Sequence, residues 1–366
     1  MIPVMPSTGP SRRALLRAGL VGIASAGLLS GCSGDRVRTP WSPEPTVDEA
    51  DAARRMPDGD LLLRARERLA GHRAALSRAQ ANTPAVRAKA RSTATLWQTQ
   101  QERLEQLLAL GGITLPELDV QILTPSADEA AEDADRDGEA TTGGHDGDEA
   151  TGDHGAATTA PGSDDARQTA AGPAPRTVGE GLLADLPEVL EDLSRSSALN
   201  RAMLVSLAAQ HVESARLLGA PVEWPPLEGP VGAAAVPVLA RTRPAVFGLE
   251  VVAARSREDE RLRYESVLAA VRSTTRALTT LAGDAAPLPP LGYDLPEPLE
   301  DEPDRLALAR ALVHDIEPAV LSVVDRAGSD VEQLRSLVRL VAETQQWAHE
   351  LDVDPDPFPG MTLPAA

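Results

Sequence analysis

The chain has 366 residues, a single cysteine, four Trp, two Tyr and two Phe, so its interior must be built from Leu, Ala and Val without a disulfide. A formal charge of −20, one lysine (Lys89) and no basic stripe interleaved with aromatics exclude a nucleic-acid partner.

The first residues read as an address. Ser11-Arg12-Arg13-Ala14-Leu15-Leu16-Arg17 carries the arginine pair, Arg12 and Arg13, of a twin-arginine export signal. The uncharged run from Ala18 to Gly31 would reach roughly 21 Å as a helix, short of a ~30 Å hydrocarbon core and typical of a signal-peptide apolar region. It closes on Leu29-Ser30-Gly31-Cys32, a lipobox pattern in which the Cys32 thiol takes a lipid before cleavage. The plainer alternative is an ordinary cleaved signal beside a chance cysteine. The expectation is a lipoprotein with a signal peptide over 1–31 and lipidation at Cys32. Its membrane anchor would lie on the extracytoplasmic face of the cell membrane, followed by a Pro-rich tether over 32–46.

Beyond the tether the periodicity is helical and no strand pattern emerges. Helices are predicted over 47–80, with Leu62, Leu69 and Leu76 at heptad spacing, and over 84–110, opened by Pro84 and stopped by Gly111-Gly112. A disordered acidic loop is expected over 118–177. Between Ser126 and Arg167 thirteen acids face two arginines and no large apolar residue occurs, so ordering has nothing to offset it. In that loop Asp133-x-Asp135-x-Asp137-Gly138 copies half of a calcium loop, but Gly144 stands where a bidentate Glu is required. His145 and His154 add at most unspecific cation binding. Further helices are predicted over 178–194, 195–218, 231–256, 258–282, 303–326 and 329–351. A Pro-rich joint spans 221–230, and a long connection over 283–302 carries Pro287, Pro289, Pro290, Pro296 and Pro298. The fold class expected is all-α, with an N-terminal helical region over 47–218 and a C-terminal bundle over 231–361.

Four C-terminal stretches carry a resemblance. Thr242-Arg243-Pro244-Ala245-Val246-Phe247-Gly248-Leu249-Glu250 and the residues on to Ser256 resemble the first helix of an actinobacterial lipoprotein family with a C-terminal ferritin-like domain of unknown function. Pro289-Pro290-Leu291-Gly292-Tyr293-Asp294-Leu295-Pro296, Trp347 and Pro357-Phe358-Pro359-Gly360-Met361 are similar to the same family. The resemblance covers 231–361 and implies a ferritin-like four-helix bundle with one long crossover. It implies no activity. Many members carry Glu-His early in the first bundle helix, where this chain has Arg241-Thr242-Arg243-Pro244.

A ferritin-like dinuclear metal site needs about four inward carboxylates and two inward histidines. At ~100° per residue, Glu250 falls about 40° and Arg243 about 60° from Val246, inside the apolar stripe of their helix. His211 falls about 20° from Leu204 on the preceding helix, and Gln100 faces inward beside Trp97, Leu104 and Leu107. Glu250, His211 and Arg243 are thus the candidate buried polar or ligand site, although an ion pair for Glu250 and a satisfied core histidine for His211 explain them as well. His314 faces away from the Leu312–Ile316–Val320–Val323 stripe despite its ligand-like spacing to Glu317, and Glu343, Glu350 and Glu265 are expected to point out. No catalytic triad, nucleophile elbow, phosphate loop or zinc spacing occurs. The expectation is a non-enzymatic binding or scaffold module of the cell envelope, without a cofactor and with an envelope protein as partner. The alternative is a ferritin-like bundle binding a divalent metal or a small molecule.

Overall fold

The computed structural model describes residues 56–113, 172–296 and 298–362, and these are all-helical. The export signal with Arg12 and Arg13, Cys32, the tether and nearly all of the acidic loop lie outside the described residues.

Helix α1 (Gly59–Ser77) follows Asp58, whose carboxylate accepts from the backbone N of Ser197 at 2.8 Å and from Asn200 Nδ2 at 2.9 Å. Its heptad leucines Leu62, Leu69 and Leu76 are buried. Helix α2 (Pro84–Leu110) has the bounds that its punctuation predicts: Thr83 Oγ1 caps it by accepting from Val86 N at 3.2 Å, Pro84 opens it and Gly111 closes it. Helix α3 (Pro175–Arg195) begins three residues before the predicted start because Pro175 supplies the first helical position. Helix α4 (Ala198–Leu217) buries thirteen of its twenty residues, which makes it the central rod.

After an extended joint and a 3₁₀ turn (Gly232–Ala234) come α5 (Val236–Arg255) and α6 (Glu258–Ala282), packed as an antiparallel hairpin. The long connection leads to α7 (Glu302–His314), α8 (Ile316–Leu321) and α9 (Val324–Ala327). The sequence predicts one helix here. Pro318 has no N–H to donate to the carbonyl one turn back, and the rod breaks at Asp315; a second break follows at Ser322-Val323. Helix α10 (Val331–Glu350) starts on an Asp330 cap that accepts from Glu332 N and Gln333 N.

The hairpin α5–α6, the broken rod α7–α9 and α10 form a four-rod bundle joined by one long connection. Helix α10 packs against α7 and α8 on one side and against α4 on the other. The core therefore runs without interruption from Leu62 to Phe358. Residues 351–362 lie across this seam: Phe358 is fully buried, and the carbonyls of Pro357 and Pro359 accept from Gln100 Nε2 at 2.7 Å and Ser206 Oγ at 2.8 Å. Among the described residues no helix is long and apolar enough to cross a membrane.

Candidate functional site

Helices α1, α3 and α4 leave a cleft between them with a volume of about 40 Å³, lined by Leu61, Leu182, Leu186, Val189, Leu204 and Leu207 among others. Space of that size holds a few heavy atoms or waters. Polar groups enter it from all three helices. Arg68 and His72 stand one turn apart on α1, Asp185 and Asp192 two turns apart on α3, and His211 on α4.

Each polar group has a defined state. His211 Nε2 lies 3.2 Å from Gln100 Oε1, while the Gln100 amide nitrogen is spent on Gln210 Oε1 at 2.8 Å and the Pro357 carbonyl at 2.7 Å. A carbonyl oxygen only accepts, so His211 carries its proton on Nε2 and keeps Nδ1 as an acceptor. Burial, with His72 and Arg68 adding to it, pushes His211 down to about 3, so the ring is neutral at pH 7. Trp97 sits between the two histidines, 6.2 Å from the His211 ring and 6.3 Å from His72, and its Nε1 donates to Ser214 Oγ at 3.2 Å. His72 Nε2 donates to Asp185 Oδ2 at 2.9 Å; burial lowers the ring below its ordinary value against the pull of Asp185. At the other end Asp192 accepts from Arg64 (Nη2 at 3.0 Å, Nε at 3.3 Å), from Arg195 at 2.7 Å and from Arg68. Burial pushes the Asp192 carboxyl up, but these guanidiniums outweigh it and hold it below the usual carboxylate range.

Of the three candidates read from the sequence, only His211 lines this cleft. Glu250 is on the surface, its side chain 47% exposed and paired with Arg272 Nη2 at 2.6 Å. The buried residues of α5 (Val238, Leu239, Thr242, Ala245, Gly248, Leu249, Val252 and Ala253) centre its apolar stripe roughly 70° from Val246 on the side away from Glu250, which puts Glu250 outside the stripe. Arg243 is half-buried and donates to the Pro287 carbonyl at 2.6 Å, pinning the long connection rather than facing Glu250. Gln100 is fully buried, as its position predicts.

Glu343 departs from its expected place, and Glu317, whose direction the helical wheels left open, is buried. Glu343 is half-buried, not outward: the joint before α5 covers that face of α10, where Arg339 donates to the Pro225 carbonyl at 2.6 Å and to Glu343 at 2.8 Å. Burial raises its carboxyl, and Oε2 is sealed without a partner among the described residues. Glu317 is 1% exposed, with one oxygen held by Gln345 and the other without a partner among the described residues, and burial raises it to about 7. The break at Asp315 separates its direction from that of exposed His314, so a wheel drawn through one continuous helix could not place it. Sequence reasoning also missed the Arg68–Asp192 and His72–Asp185 pairs. Their signal was present as Arg64, Arg68 and His72 at four-residue spacing beside the Leu62–Leu69–Leu76 stripe.

Among the described residues no three His, Cys, Asp or Glu side chains gather as a metal would require. No curated protein and no solved structure matches the chain. Residues 234–363, which hold α5 to α10 and the closing segment, match the family model of a domain of unknown function, DUF4439.

Proposed function

We propose that the chain is a lipid-anchored helical binding module of the cell envelope, held on the extracytoplasmic face of the membrane through Cys32, with the α1–α3–α4 cleft as its binding element. The arginine pair at Arg12-Arg13, the short apolar run and Leu29-Ser30-Gly31-Cys32 support the anchor. One observation carries the binding reading: His211 lines an apolar cleft as a neutral ring whose Nδ1 makes no hydrogen bond among the described residues. An apolar recess edged by a few polar side chains resembles, at a smaller volume, the layout of a small-molecule site.

The reading is tested by filling the cleft. Ala65 lines it and is half-buried, so Ala65→Phe intrudes on the space with little cost to the core. With the neutral fluorophore N-phenyl-1-naphthylamine, which is larger than the enclosed space and would seat only the edge of its phenyl ring there, the chain is expected to show saturable one-site enhancement that Ala65→Phe abolishes. Enhancement unchanged in Ala65→Phe would overturn the cleft as the binding element. For the anchor, Cys32→Ala is expected to move the protein out of the membrane fraction, and retention there would refute it.

A further inference from the structure

We infer that the occupant of the α1–α3–α4 cleft is an amphipathic anion, its apolar tail between the leucines and its anionic head on Arg68; this rests on reading the cleft as a binding site. The tail follows from the walls, where Leu182, Leu186 and Val189 of α3 face Leu204 and Leu207 of α4. Forty cubic ångströms, the approximate volume, enclose the end of a chain and leave its head near the mouth.

The head follows from a count of donors. A carboxylate offers about four lone-pair positions. Arg64 takes two at Asp192, Arg195 one and Arg68 one, so Asp192 is saturated. A guanidinium has five N–H donors. Arg68, whose side chain is only 20% exposed, makes just that one bond among the described residues. Arg68 lines the cleft, and its remaining donors meet no acceptor within hydrogen-bond distance among the described residues. Three guanidiniums meet Asp192, of which Arg68 alone lines the cleft, and Asp185, the other lining carboxylate, is paired with His72. Guanidinium donors of this kind recognise carboxylates and phosphates.

The test uses the full chain carrying Cys32→Ala, without its lipid, and four ligands of one tail length: octanoate, octyl phosphate, octanol and octylamine. Each is titrated by displacement of the fluorophore at pH 7, below micelle-forming concentrations. Octanoate or octyl phosphate is expected to bind at least tenfold more tightly than octylamine, and the order of the two anions assigns the head as carboxylate or phosphate. Arg68→Gln is expected to abolish that preference while octanol binding stays within about twofold, which shows that the variant is folded and the cleft intact. Equal binding of all four, or an anion preference that survives Arg68→Gln, overturns the anion assignment and leaves the cleft reading standing. Failure of all four to displace a fluorophore that Ala65→Phe also fails to exclude overturns both.

Discussion

Two buried titratable residues, Glu317 and His211, pull stability in opposite directions as pH changes. Burial raises the Glu317 carboxyl from 4.5 to about 7, with Asp356 reinforcing the rise against the hydrogen bond from Gln345. Between those values the folded chain holds this proton and the unfolded chain does not. Stability is therefore full below pH 4.5 and declines as pH rises toward 7, by on the order of 3 kcal/mol. Glu317→Gln keeps the acceptor for Gln345 and removes the charge, so it is expected to raise the urea midpoint at pH 8 and change little at pH 4; a lower midpoint at pH 8 contradicts this. His211 behaves oppositely. Below pH 6.5 the unfolded ring takes a proton that the folded ring refuses until about pH 3, so stability falls as pH drops. His211→Gln retains a donor for Gln100 Oε1 and is expected to flatten that acid limb in circular-dichroism melts. The inward direction of His211 was legible because Leu204, Leu207 and Ala208 surround it at helical spacing. That of Glu250 was not, because a wheel shows which residues share a face and not which neighbour covers it.

Helices were legible where punctuation stood at both ends. Pro84 with Gly111, and Gly283 after Ala282, gave bounds that the structure reproduces for α2 and α6. The broken rod α7–α9 was read as one helix because its apolar stripe runs on past Pro318, and the missing N–H decides the matter. At this scale Trp97 ties α2 to its neighbours, fully buried with its ring beside those of His72 and His211. Trp97→Ala is expected to cost about 3–5 kcal/mol in urea unfolding, the range for emptying a large core site. It should also weaken fluorophore binding, since both cleft histidines rest on the indole; a loss below ~1 kcal/mol would mean that α2 is held elsewhere. Gly360 offers a smaller counterpart. It has φ +77°, and a Cβ there would lie 2.8 Å from the Glu317 Cβ, so Gly360→Ala is expected to cost about 1–3 kcal/mol.

The matched segment, residues 234–363, is not covered on all sides by itself. Helix α10 gives one flank to α7 and α8 and the other to α4, and the closing residues bond to Gln100 and Ser206. That sharing was not legible in the sequence, whose helical patterns left open whether the N-terminal helices stand apart or extend the C-terminal bundle. Residues 231–366 made alone are expected to aggregate or unfold without cooperativity, and co-expression with residues 33–230 should recover a soluble complex. A lone fragment that is soluble and melts cooperatively would contradict the shared core. The all-α class was legible from periodicity alone, whereas the cleft depends on side chains from three helices whose mutual placement no single segment encodes. Hydrogen–deuterium exchange with and without octanoate tests the binding cleft most directly. Slower exchange confined to the lining segments of α1, α3 and α4, and absent in Ala65→Phe, is the result expected; protection centred on α5 and α6, or none at saturating octanoate, would contradict it.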